Sequence, residues 1–290
     1  MNKILFVTWI SFITMFSCKT DQKKDADFKN ESKSKEYLNL KDFSEKFSGV
    51  WLPKSYLYSI EKSKSAYLSH KAIPIISELS IHTKDLKNDT LYIGASLNNH
   101  EGYGFNIWNT GQLKGNEYLN NIFDWEKENK YLFVYNIADT TISIVFKGIK
   151  DSIESRIEFV KVLEYEFVSN YGGIGYDYIS RKFIINGKYQ VLDSNKNDLG
   201  VANFEPMTGK IKDFNYGYYT IATDYIANPC YPSDHIILRL NPEEYLTQKY
   251  LSIINRNDTI LLYETEEIVT DSTYDFGLTS IVYYMINKNY

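Results

Sequence analysis

Tyr131-Leu132-Phe133-Val134-Tyr135, a turn at Ala138-Asp139, and Thr141-Ile142-Ser143-Ile144-Val145-Phe146 form the stretch from which the fold is read. In the second run Ile142, Ile144 and Phe146 fall on one side, the period of two of a strand with one buried face. Similar runs lie upstream at Leu79 to His82, Leu91 to Ala95 and Phe105 to Trp108. Downstream they continue at Ile157 to Val162, Val201 to Phe204, Lys210 to Phe214 and Tyr216 to Ile226. Four more follow at His235 to Leu240, Lys249 to Ile254, Thr259 to Glu264 and Ile281 to Ile286. Asn186-Gly187, between Phe183-Ile184-Ile185 and Lys188-Tyr189-Gln190-Val191, predicts a two-residue hairpin turn. Helical spacing is clear only in Lys54 to Ser63, where Tyr56, Leu57 and Ile60 follow Pro53. Glu117 to Glu128 is ambiguous, with a helix as one reading.

The expectation is an all-β chain: one antiparallel barrel of about ten to twelve strands with one or two short helices, or two packed β-units. Long helices between strands are missing from the pattern, which argues against a doubly wound fold. Tyr171-Gly172-Gly173-Ile174-Gly175 is the candidate internal joint, near 170–176. A phosphate cradle would need a helix after the glycines. The sequence that follows reads as β, so a plain linker is expected.

The N-terminus has its own pattern. Met1-Asn2-Lys3 is a short basic start, Ile4 to Phe16 is apolar but for Thr8, Ser11 and Thr14, and Ser17-Cys18 precedes a charged stretch. That order describes an export signal, and a run of about a dozen residues is too short to span a bilayer. Met15-Phe16-Ser17-Cys18 resembles the lipobox of bacterial lipoproteins. The resemblance implies a signal peptide over 1–17 and acyl chains such as palmitate on Cys18. Lys19 rather than Asp follows the Cys, which in that family leans towards the outer membrane, in the cell envelope. Residues 18–46, rich in Lys, Asp, Glu, Ser and Asn, are expected as a flexible tether, leaving the β domain at 47–290. About 27 tether residues would span roughly 30 Å.

Roughly 245 residues are ample for a core. A net charge of −5 gives no basic excess of the kind nucleic-acid binders show. Of two cysteines, Cys18 is assigned to lipid, so Cys230 has no partner for an intramolecular disulfide. A lone Cys usually behaves as a small buried apolar residue. Tyr stands out at 26 copies, a residue suited to strands and to wet–dry boundaries.

Gly49-Val50-Trp51 is similar to the Gly-x-Trp of lipocalins. Phe204 to Phe214, Tyr218 to Tyr225 and Thr259 to Tyr263 are similar to the lipocalin-like domains of exported lipoproteins. The resemblance covers about half of the chain. It implies a calycin-type barrel. The family's Arg near the last strand, which packs on the first-strand Trp, has no counterpart in Ile281 to Tyr290.

The sequence is poor in catalytic signatures. His70, His82, His100 and His235 form no zinc pair, and no cofactor or metal is implied. Cys230, Ser233, Asp234 and His235 are the one local cluster resembling acid, base and nucleophile, but strand neighbours point to opposite faces. Asp193-Ser194-Asn195-Lys196-Asn197-Asp198 resembles a calcium loop until positions six and twelve, where Asp198 and Phe204 replace Gly and Glu. Carboxylates such as Glu164, Glu166 and Asp177 need geometry before they can be judged. The expectation is therefore a non-catalytic, membrane-anchored protein holding a small apolar or amphipathic ligand. Aromatics would line its site: Trp51, Trp108, Tyr218, Tyr219 and Tyr263. Tyr218 and Tyr219 occupy opposite faces, so one points inward. The alternatives are an envelope interaction or accessory module and a hydrolase acting on envelope or polysaccharide substrates.

Changing Cys18 to Ala tests the anchor. The variant is expected to leave the membrane fraction or to remain unprocessed, because each buried acyl CH₂ contributes about 0.8 kcal/mol and one chain alone holds only marginally. A processed variant that still sediments with membranes would remove the assignment.

Overall fold

The computed structural model describes residues 38–108, 116–123, 129–150, 154–164, 174–225, 233–243, 247–269 and 274–288. Cys18, Cys230 and the proposed signal lie outside them. The chain is all-β and antiparallel, but it closes twice. Eight strands form each of two barrels, so the alternative of two packed β-units holds in place of one barrel of ten to twelve strands.

The first barrel runs β1 (Gly49–Pro53), β2 (Ile76–Lys87), β3 (Thr90–Leu97), β4 (Glu101–Trp108), β5 (Glu117–Asn120), β6 (Asn129–Asn136), β7 (Thr141–Gly148) and β8 (Glu154–Leu163). Each strand pairs with the next, and β8 returns to β1 through Leu52↔Val160. The pairing of β6 with β7 has the expected register, with Phe133 opposite Ile144. Glu117 to Asn120 is a strand, correcting the helical reading of that stretch. Tyr118 shows why: its ring joins the barrel core, beside Phe43 and Tyr135.

The second barrel runs β9 (Gly187–Asp193), β10 (Asp198–Glu205), β11 (Lys210–Lys212), β12 (Tyr218–Ile221), β13 (Asp234–Arg239), β14 (Lys249–Arg256), β15 (Thr259–Val269) and β16 (Tyr274–Asn287), and β16 closes on β9. The helices are α1 (Leu40–Phe47), α2 (Lys54–Ser63), α3 (Ala66–Ser69) and α4 (Ile174–Ile184). Among the described residues, no helix is long and apolar enough to cross a membrane.

Helix α1 corrects the reach of the tether. Residues 40–46 are charge-rich, yet Leu40, Phe43 and Phe47 recur at helical spacing and are buried. The Asn39 side chain accepts from the Asp42 N–H and caps the helix. Phe43 and Phe47 stack and pack on Trp51, Tyr118, Phe133 and Tyr135, filling the first barrel from one end.

Helix α4 corrects two further expectations. The stretch after the glycines is helical, and Phe183-Ile184 belongs to it rather than to a hairpin. Tyr176, Ile179, Ser180 and Ile184 are buried at three- and four-residue intervals, and that period outweighs the Asn-Gly turn signal. Asn186-Gly187 joins helix to strand instead, and Gly187 alone of the pair has positive φ, +95°. The first barrel opens in the same way. Helix α1 ends at Phe47, Gly49 has φ +138°, and a ring follows two residues later, Trp51 there and Tyr189 here.

A cation does lie over the Trp51 ring, though it is a lysine and not the arginine of the resemblance. Lys161 on β8, the last strand of the Trp51 barrel, holds its ammonium 5.7 Å from the Trp51 ring.

The barrels share a seam. Strand β1 is buried on both faces: Trp51 enters the first core, and Leu52 joins the second with Tyr56, Ile60 and Ala66. Tyr176 donates to the Ser77 carbonyl at 2.7 Å, and the Tyr56 and Ser180 hydroxyls lie 3.2 Å apart. Two buried carboxylates cross over. Glu78 of β2 accepts from the Gly175 N–H at the start of α4, at 3.0 Å. A Cβ at Gly175 would come within 2.8 Å of that Glu78 oxygen and 2.9 Å of Val50. Asp234 of β13 accepts from the Tyr67 N–H at 2.8 Å, at the start of α3, and from the Tyr225 hydroxyl at 3.4 Å. Glu78 of the first barrel thus caps a helix whose buried side chains join the second core, and Asp234 of the second barrel caps a helix that lies in the chain between β1 and β2 of the first.

Replacing Asp234 with Ala is expected to cost about 2–4 kcal/mol, since the Tyr67 N–H and the Tyr225 hydroxyl lose their acceptor. Urea unfolding should show one transition, displaced to lower urea, because Leu52 to Ala66 and the second barrel share a core. A midpoint moved by less than the equivalent of about 0.5 kcal/mol would refute this account.

Candidate functional site

The aromatic residues singled out in the sequence do not converge. Trp51 and Trp108 belong to the first barrel, and Tyr218, Tyr219 and Tyr263 to the second. Trp51 is fully buried, and its indole N–H donates to the Phe47 carbonyl at 2.9 Å. Tyr219 is the inward member of its pair, packed on Phe204 with its hydroxyl donating to Ile185. Ile107 and Leu262 are the inward neighbours of Trp108 and Tyr263, which are half-buried on outer faces. Rings and branched side chains fill both interiors: Phe105, Phe133 and Phe159 in the first, Tyr189, Phe204 and Tyr219 in the second.

The Asp193–Asp198 stretch is a turn held by its own side chains. Asp193 accepts from the Asn195 and Asn197 N–H groups at 2.8 Å, and these bonds, with the Asn197 amide, hold its carboxyl below the usual carboxylate range. Among the described residues, no group of three His, Cys, Asp or Glu side chains is placed to hold a metal.

A groove of about 560 Å³ lies on the outer wall of the second barrel. That is within the ordinary size range of small-molecule sites. Strand register builds its floor. Thr220, Ile237 and Tyr250 are direct cross-strand neighbours on β12, β13 and β14, and His235 sits opposite Ser252 in the next row. Thr223 and Asp224, just beyond β12, form one wall, and Asp177 of α4 lines it as well.

The first barrel holds that wall in place. Asn98 and Asn99, both at positive φ, form the β3–β4 turn. The Asn99 amide donates to the Thr223 carbonyl at 3.0 Å, and His100 Nδ1 lies 2.6 Å from an Asp224 oxygen. The hydrogen bond to Asp224 raises the His100 imidazole above its usual range.

His235 is buried, and burial pushes its imidazole towards the neutral form. Its Nδ1 donates to the Ser233 carbonyl at 2.9 Å, leaving Nε2 to accept from the Ser252 hydroxyl at 3.0 Å. This contact resembles a nucleophile–base pair, yet Ser252 is fully buried. Asp234, as strand alternation requires, turns away to α3.

Asp177 is different. It is half-buried and makes no hydrogen bond or ion pair with the described residues. Loss of water pushes its carboxyl up to about 6, against the lowering pull of Arg181 and Arg239. Both guanidinium groups are engaged elsewhere, Arg181 with the Pro206 carbonyl and Arg239 with Gln248. In the sequence alone nothing sets Asp177 apart from Glu164 or Glu166. A helix over 174–184 was the missing step, because it places Asp177 in the first turn, on a face apart from buried Tyr176 and Ile179.

No family model, no curated protein and no solved structure matches the chain.

Replacing Asp177 with Asn is expected to stabilise the fold at pH 7. A carboxyl raised to about 6 when folded binds more protons there than in the unfolded chain. Stability therefore falls as pH rises through roughly 4 to 6, and the ionised group carries a penalty above that window. The variant should gain about 1–2 kcal/mol at pH 7 and nothing near pH 3. Denaturation midpoints at the two pH values check this, and an equal change at both would refute it.

Proposed function

We propose that the chain is a membrane-tethered, non-catalytic binding protein of the bacterial envelope, and that the groove at Asp177 holds its small amphipathic ligand. The lipobox-like Met15 to Cys18 supports the tether, and the calycin-type resemblance at Gly49-Val50-Trp51 supports a binding role. The carrying observation is where space exists. Both barrel interiors are occupied by side chains such as Phe133 and Phe204, whereas the outer groove offers about 560 Å³. Its walls combine apolar Ile221, Ala222 and Ile237 with a few polar groups, the mixture that orients a small guest. This departs from a barrel that carries its ligand in the lumen.

An interaction module for another envelope protein is the second reading. Leu199 and Val201, 41% and 42% exposed on one face of β10, favour it.

Native mass spectrometry of the full chain, released from membranes in mild detergent, separates the two. A bound small molecule that disappears in the groove-filling variant Ala222→Trp is the expected result. A guest retained by that variant, or none in either protein, would pass the lead to the interaction module.

A further inference from the structure

We propose that the groove recognises a neutral, hydroxyl-rich ring with an apolar face, which is the chemistry of a sugar, with Asp177 accepting hydrogen bonds from its hydroxyls. The inference rests on the binding reading above and narrows the guest. Asp177 is half-buried on the groove, and a hydrogen-bond donor entering there meets its carboxylate. Asp177 has no such donor among the described residues, although it opens on the groove. A guest hydroxyl can supply one in place of water.

Charge restricts which donor. Arg181 and Arg239 act on Asp177 through space, while their own hydrogen bonds point elsewhere. Asp177 stands in the field of both guanidinium groups and Asp224 is paired with His100, so neither carboxylate calls for a cationic guest. A fatty acid or other anion would meet Asp177 and Asp224 together. A neutral donor suits a groove whose carboxylates already have counter-charges nearby.

Shape and polarity supply the rest. Thr220, Ile237 and Tyr250 lie side by side on the floor, and Tyr250 is 46% exposed. An aliphatic side chain beside an exposed ring suits the C–H face of a pyranose. Thr220 and Thr223 add hydroxyls that rotate to donate or accept. Gln248 donates to the Tyr250 hydroxyl, leaving the phenol proton free to reach a sugar oxygen.

Saturation-transfer difference NMR on the full chain tests this. The probes are methyl glycosides of glucose, galactose, mannose and N-acetylglucosamine, together with cellobiose and maltose, beside decylammonium and dodecanoate. At least one sugar is expected to give a saturable signal. Asp177→Asn should weaken it tenfold or more, and Thr220→Arg should abolish it, with both variants keeping the circular dichroism spectrum of the parent. Asp139→Asn, on the first barrel, should leave it unchanged. A sugar signal that Asp177→Asn does not alter overturns the assignment of Asp177. Silent sugars with a Thr220-dependent signal from decylammonium or dodecanoate overturn the sugar and leave the groove reading standing. Silence from every probe overturns both.

Discussion

Two buried carboxylates, each ending a helix that belongs to the opposite half of the molecule, hold this structure together. A helix start exposes backbone N–H groups that must find acceptors. Glu78 supplies one for α4 and Asp234 supplies one for α3. Both are almost fully buried, at 4% and 5% exposure, where an ionised group without donors would be untenable. Carboxylate and helix start therefore satisfy each other or neither is tolerated. The rest follows from that exchange: α2 and α4 in contact through Tyr56 and Tyr176, β1 buried on both faces, and the β3–β4 turn pressed against Thr223 and Asp224.

Much of the β architecture is legible in the residues. Alternation places β6, β7, β10, β13, β14 and β15 close to where they lie, and Pro53 marks the start of α2 at Lys54. Strand count misleads, because closure is a long-range event. Nothing local in Leu52 and Val160 says that they pair and end the first circuit at eight strands. Asn186-Gly187 misleads for a related reason. The dipeptide satisfies a local turn rule, while the burial of Tyr176, Ile179 and Ile184, a tertiary demand, makes the preceding stretch a helix. The candidate site was hidden for that same cause: Asp177 acquires its surroundings only once α4 lies against β12. The tyrosines show the opposite failing. Their abundance suggests a lined pocket, but Tyr118, Tyr135, Tyr189 and Tyr219 are spent on the cores.

Filled interiors move the available chemistry to the outside. In the second barrel, inward Ile236, Leu238 and Leu251 make the core, and their strand neighbours His235, Ile237 and Tyr250 make the groove. One set of strands thus packs the core with one face and lines the groove with the other. The groove also depends on both barrels, since its Asp224 wall is fastened to His100 from the other. The first barrel is in this sense part of the site without lining it.

The crossed caps bear on modularity. Two tandem units that open with the same helix–glycine–ring device look like beads that could be separated at the joint around 165–173. They cannot be parted without loss. A cut there would hand each fragment a helix whose terminator left with the other piece, and would bare Leu52, Tyr56 and Ile60 on one side and the end of the second barrel on the other. The fragments would behave as complementary halves that regain order on mixing, rather than as two independent domains. Whatever its history, the pair is now inherited and unfolded as one object.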